Sequence, residues 1–177
     1  MRFIFFIASI FLCGPCSTPC DPPNFEVTDS TSLSTIVQPT VTSTFEANGI
    51  GFEVPNGWAM TDTLDAGGGY YVSCEHTGEG ESGMISVTRV EDKKIKLAQM
   101  MAQRIPKTSL VEKGAFKGYP SLVAQFSNDE SGVKMTKTVY VFEACDAKYV
   151  FSSIGESQNE AQNQTDFQMI INSWKCR

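Results

Sequence analysis

Gly49-Ile50-Gly51-Phe52-Glu53-Val54-Pro55-Asn56-Gly57-Trp58 is the stretch whose reading decides the fold. Ile50, Phe52 and Val54 alternate with Gly51 and Glu53, the period of a strand with one buried face. Asn48-Gly49 precedes it, a dipeptide suited to a two-residue hairpin because both central positions need positive φ, so Phe45-Glu46-Ala47 reads as the partner strand. Pro55 has no amide to donate and closes the strand. Asn56-Gly57 then turns the chain so that Trp58 can fold back over a sheet. The stretch is an anchor and carries no chemistry.

Working outward toward the C-terminus, Met60–Leu64 reads as a short continuation and Ala66-Gly67-Gly68-Gly69 as a turn. No Lys-Ser/Thr or helix follows the glycines, so they are not a phosphate loop. Tyr70–Cys74 and Met84–Val90 read as strands, with Tyr70, Val72 and Cys74 sharing one face. Lys93–Ile105 is predicted helical, with Leu97, Ala98, Met101 and Ile105 as its apolar stripe and Pro106 ending it. The Met100-Met101 pair there suits core filling better than ligation. Leu110–Phe116, Ser121–Phe126, Val133–Ala144 and Lys148–Ile154 are four more strands, the last two joined by a tight Cys145-Asp146 turn. A final helix opens on the capping-box pattern Ser157-Gln158-Asn159-Glu160 and carries Phe167, Ile170, Ile171 and Trp174 at i, i+3, i+4 and i+7. Hairpin-linked strands with two helices imply an α+β fold: an antiparallel sheet of six or seven strands with helices on its faces.

An aromatic-x-apolar-Pro-x-Gly-Trp strand, here Phe52-Glu53-Val54-Pro55-Asn56-Gly57-Trp58, near the start of such a domain resembles the PsbP-like superfamily. That group takes in the extrinsic PsbP subunit of photosystem II, a Ran-binding nuclear import factor and bacterial DcrB-like envelope proteins. The resemblance covers roughly residues 45–176 and implies the fold. It implies little about function, because the members do unrelated things. No residue of a family metal site can be matched to this chain.

The chain has 177 residues, enough for one domain with an ordinary core. A net charge of −6 with no basic stripe argues against nucleic acid. Arg2 followed by the short apolar run Phe3–Leu12 reads as a signal segment over residues 1–16, far short of the ~20 residues that span a bilayer. Residues 17–44, rich in Ser, Thr and Pro, read as a tether, and residues 45–177 as the single domain. Cys13 follows the apolar run in the position of a lipoprotein cleavage box, although Leu12 stands where a small residue is usual. Lipidation of Cys13 and ordinary cleavage a few residues later both stay open; either way the chain is expected to be exported. A lipid on Cys13 would make it a periplasmic or outer-membrane lipoprotein, and the alternative is a secreted protein. Membrane contact is expected only through such an anchor.

In an exported chain cysteines pair by default. The strand after Cys145 runs away from it and the last helix must run back. About seven residues at ~3.3 Å and about fourteen at ~1.5 Å cover nearly the same ~21–25 Å. This predicts a Cys145–Cys176 disulfide, worth about 3–4 kcal/mol in the chain-entropy model. Cys74 is then a buried small hydrophobe or a partner for Cys20. Cys13, Cys16 and Cys20 have metal-like spacing, but a zinc site needs four ligands and the first of these is the cleavage or lipidation position.

His76, the sole histidine, lies in Cys74-Glu75-His76-Thr77-Gly78-Glu79-Gly80-Glu81, which could hold a cation at a hairpin tip or be a solvated loop. A hydrolase triad would have to recruit His76, and no nucleophile signature surrounds a candidate. Asp62, Asp65, Glu75, Glu143 and Asp146 could serve a carboxylate-only site only if they converged. Asn163-Gln164-Thr165 matches a glycosylation sequon inside a predicted helix. No cofactor is expected. The resulting expectation is a non-catalytic, exported accessory or binding module of the cell envelope with a protein partner, for which Tyr71, Tyr119 and Tyr140 are candidate contacts. The alternative is a small-ligand or cation-binding envelope protein using the cleft beside Trp58.

Overall fold

The hairpin forms around Asn48 and Gly49, which take positive φ of 48° and 74°. It joins β1 (Val41–Ala47) to β2 (Ile50–Pro55), paired antiparallel from Ala47 opposite Ile50 outward. The computed structural model describes residues 41–176 apart from 66, 77 and 79–81. Ile50, Phe52 and Val54 are all buried on one face of β2, as the alternation demands.

This hairpin does not join the main sheet. With β10 (Lys175–Cys176) it makes a separate three-stranded sheet in the order β1-β2-β10. On the β10 side of β2, the Glu53 N–H donates to Ser173 Oγ at 2.9 Å, and Pro55 has no N–H to offer. The turn through Gly57, at φ 83°, ends the small sheet and lets the chain start again at Trp58.

Seven strands form the large sheet: β3 (Trp58–Asp65), β4 (Gly69–His76), β5 (Gly83–Val90), β6 (Glu112–Phe116), β7 (Tyr119–Glu130), β8 (Val133–Ala144) and β9 (Ala147–Glu156). Their order is β3-β4-β5-β9-β8-β7-β6, antiparallel throughout. Strands β6 to β9 are one meander, and β5 meets β9 only after the chain has returned. The expected continuation at Met60–Leu64 is a full strand, β3, with a register irregularity between Met60 and Asp62.

One face of the large sheet is covered by the small sheet and by α2 (Glu160–Ser173), closing a core of Trp58, Val72, Cys74, Ile85, Phe116, Phe142, Tyr149, Phe151, Phe167, Ile170 and Trp174 among others. Phe167, Ile170, Ile171 and Trp174 are all buried, so the predicted stripe is the stripe used. Trp174 stands edge-on to Phe116, Phe142, Tyr149 and Phe151, with ring centroids 5.2–5.8 Å apart. The opposite face carries a smaller core of Met100, Met101, Ala124, Val139, Val141 and Val150 under α1 (Leu97–Ala102).

Two local expectations are corrected. The first helix runs over six residues rather than 93–105. Lys93 and Lys94 lie in a turn: Asp92 Oδ1 accepts from the Lys94 N–H at 2.8 Å, and buried Lys148 donates to the carbonyl oxygens of Lys93 and Asp92 at 3.0 and 3.4 Å. With the helix short, its buried side is Met100 and Met101 beside half-buried Leu97, and Ala98 faces solvent. The capping box does not form either. Ser157 begins a 3-10 turn (Ser157–Asn159) and its hydroxyl bonds Thr136 at 2.8 Å, while Glu160 accepts from Gln125 Nε2 at 2.8 Å. Tertiary partners outcompete the local cap.

Candidate functional site

Trp58 opens β3 at one end of the large sheet and is buried. Its indole N–H donates to Asp166 Oδ2 at 2.9 Å, and Gln162 Nε2 donates to Asp166 Oδ1 at 3.1 Å. Asp166 is buried on α2, so the Trp58 bond ties the anchor turn to the helix, while Gln162, one turn earlier on the same helix, donates to the other oxygen. His76, opposite Trp58 in the β3–β4 register, packs edge-on against the indole with centroids 5.2 Å apart, and its Nδ1 accepts from the Gly78 N–H at 3.0 Å.

Gly83 and Gly155 face each other across β5 and β9. A Cβ on Gly83 would come within 3.0 Å of the Trp58 ring, and one on Gly155 would collide with Asn163 Nδ2. The two glycines form a notch that takes Trp58 and Asn163. Asn163 of the sequon is therefore wedged under α2, a poor presentation for a glycan in the folded state.

Beside this cluster an open cleft of about 440 Å³ is walled by Glu75, His76, Ser82, Met84, Glu130 and Met135. Its rim is acidic and its floor apolar and thioether-bearing. Among the described residues, no three His, Cys, Asp or Glu side chains gather closely enough to hold a metal ion. Glu79 and Glu81 lie outside the described residues.

The five carboxylates do not form a site. Asp62 and Asp65 are exposed on β3 and Glu75 on β4, while exposed Glu143 and Asp146 flank the β8–β9 turn, with β5 between the two groups in the sheet. Half-buried Tyr140 lies 5.8 Å from Phe116 and 6.1 Å from Phe167, and Tyr119, exposed on one side, packs 6.3 Å from Phe142 and 6.2 Å from Trp174. Tyr71 is half-buried on β4.

A disulfide joins Cys145 to Cys176, with Cα atoms 6.1 Å apart. It links the β8–β9 turn to β10 and so ties the large sheet to the small one. Cys74 is a free, buried thiol whose Sγ lies 3.7 Å from the Ile85 carbonyl oxygen; burial pushes its pKa up to about 12. That thiol is inert at neutral pH. Burial also raises the Tyr149 hydroxyl above its ordinary value. Cys13, Cys16 and Cys20 lie outside the described residues.

Asp166, Asn163 and the clamp formed by Lys117 were not anticipated. Lys117 Nζ donates to the carbonyl oxygens of Asn172 and Trp174 at 2.7 and 2.8 Å, satisfying the end of α2 from the β6–β7 turn. A signal for the first two existed: positions 163 and 166 continue the spacing of 167, 170, 171 and 174, so they lie on the buried side of the helix.

No family model matches the chain, and no curated protein matches it in sequence. Solved structures do match. A Bacteroides thetaiotaomicron protein has a TM-score of 0.54 at 11% identity, over 76% of this chain and 48% of its own. LpqN, involved in cell envelope biogenesis of Mycobacterium tuberculosis, has a TM-score of 0.48 at 12% identity, over 71% of this chain and 82% of its own. Cyanobacterial PsbP (CyanoP) from Synechocystis has 0.49 at 12%, over 76% and 92%. The α+β fold is shared with the Bacteroides structure. At these identities the likeness extends to fold alone, and the chain spans about half the length of the Bacteroides protein. No helix among the described residues is long and apolar enough to cross a membrane.

Proposed function

We propose that this chain is an exported, non-catalytic accessory module of the cell envelope that works by docking a protein partner. The observation that carries the reading is how the chemistry-bearing groups around Trp58 are used. The indole N–H and the Gln162 amide are both bonded to Asp166, and the imidazole is packed on the indole. The Trp58–Asp166 bond holds α2 to the sheet, so the group that could otherwise act as a buried acid serves the fold. The signal-like N-terminus supports export. The test is crosslinking and pull-down of the tagged full chain from its native envelope. One stoichiometric partner, lost on changing the exposed hairpin residues, supports docking; recovery of no partner above background overturns it.

A second reading takes the cleft walled by Glu75, His76 and Glu130 as a site for a small cation or cationic ligand. It predicts a ligand-dependent rise in Tm. A flat response across calcium, manganese, zinc and a metabolite panel removes it.

A further inference from the structure

Charge divides this chain in two. Between Arg2 and Arg89 there is no lysine or arginine, whereas the charged residues of 93–107 are all basic: Lys93, Lys94, Lys96, Arg104 and Lys107. The fold sets parts of both regions on the same face of the large sheet. Val150 belongs to the smaller core under α1, and the register carries that face from it through Thr88 on β5 and Tyr71 on β4 to Leu64 on β3. Further along the same strands, Ile154, Met84 and Glu75 make a second row on that side. The helix α1 rests on β7 and β8, at one side of the face. Toward β3 the side chains stand open: Leu64 is 56% exposed, Asp62 and Glu75 are exposed, and Tyr71 and Met84 are half-buried. The hydroxyls between the rows are used on each other, Thr61 with Ser73 at 3.2 Å and Ser86 with Ser152 at 2.7 Å. What remains is a low surface of apolar groups with acids and no base on β3 and β4.

Charge selects the occupant. Residues 17–44 of the chain itself carry Asp21, Glu26 and Asp29 and no base, so this face repels them. The α1 segment has the opposite character. Its bases are all exposed, and Ala98 and Ala102, one turn apart and both exposed, make the free side of the helix small and apolar. It cannot turn to its own β3–β5 while Met100 and Met101 are buried over β7 and β8. We propose that the open β3–β5 face is the docking surface for α1 of a second copy of this chain. The sheet order makes the contact reciprocal: a two-fold axis along the strands, between β5 and β9, exchanges β4 with β8 and β3 with β7. Each α1 then lies over the open half of the other copy, its bases facing Asp62 and Glu75 there. Such a contact closes on itself, so assembly stops at a dimer.

The test is sedimentation of the full chain at ~0.1 M and ~1 M salt, between which the screening length falls from about 10 Å to about 3 Å. A dimer whose dissociation constant rises about tenfold at the higher salt is expected. A monomer at concentrations up to ~1 mM, or a dimer indifferent to salt, overturns the proposal. Charge reversal then locates the interface. Lys96→Glu with Arg104→Glu, and separately Asp62→Lys with Glu75→Lys, should each give a monomer, and an equal mixture of the two should dimerise again, because each α1 now meets a face of opposite sign. A dimer that neither pair weakens, or a mixture that stays apart, overturns it. Should the variants fail to fold, hydrogen exchange of the concentrated against the dilute wild type decides instead. Protection gained at residues 62–64 and 98–102 supports the contact, and no gain there overturns it.

Discussion

The two halves of α2 are held by different chemistry. From Phe167 onward the helix is fastened by aromatic packing, by the Lys117 clamp and by the Cys145–Cys176 disulfide beyond its end. From Glu160 to Asp166 it is fastened by Glu160 to Gln125, by Asp166 to Trp58 and by Asn163 in its notch, with Ser157 to Thr136 just ahead. Apolar burial is non-directional and large, whereas each polar contact nets only about 0.5–1.5 kcal/mol against water. One helix thus has a strong end and a weak end, and opening should start at residue 157 rather than at 173.

The largest test removes the strong end's centre. Trp174→Ala is expected to cost about 3–5 kcal/mol in denaturant unfolding, since five aromatic rings lose their common neighbour. A cost under about 1 kcal/mol would mean that the two ends are equal. Replacing Cys145 and Cys176 together by Ser should lower stability by about 3–4 kcal/mol, measured the same way.

Sulfur also differs between the ends. The disulfide does not titrate, but Cys74, toward the Trp58 end, does. Below pH 9 its thiol is neutral folded and unfolded alike. Above 9 the unfolded chain sheds the proton, while the folded one keeps it to about pH 12. Stability therefore falls across pH 9–12 by up to about 1.4 kcal/mol per unit, and the Cys74→Ala variant should lose that part of the slope. Parallel curves would show that the thiol is already exposed to base.

At the weak end, Trp58→Phe removes the indole donor from buried Asp166 and should cost about 1–3 kcal/mol. The smallest effect is Ser157→Ala, under about 1 kcal/mol, read best by hydrogen exchange: amides of 161–165 should exchange faster than those of 168–173, and faster still in the variant. Uniform exchange along the helix would erase the distinction.

Much of the architecture was legible because it rests on local rules. Asn48-Gly49, Pro55 and the 167/170/171/174 spacing act within a few residues, and the structure follows them. The Cys145–Cys176 pair could be reached because strand and helix rise are fixed quantities. What could not be read depends on partners far along the chain. Nothing near Glu160 reveals that Gln125 will take its carboxylate from the capping box, and nothing near Lys93 reveals that Lys148 will hold that segment in a turn. The placement of the anchor hairpin in a second sheet was hidden for the same reason, because β2 finds its other neighbour at Lys175–Cys176. The candidate site was the least legible part: its decisive groups, Asp166 and Asn163, are polar residues on a stripe identified by its carbon.

The edge of β2 has a consequence for assembly. An incoming strand from another chain needs a row of free amide donors to pair with. Beyond β10, β2 offers Glu53, whose donor is already given to Ser173, and Pro55, which has none. Strand-by-strand growth of copies along that edge is blocked. A partner that reads this side of the molecule must recognise it through side chains.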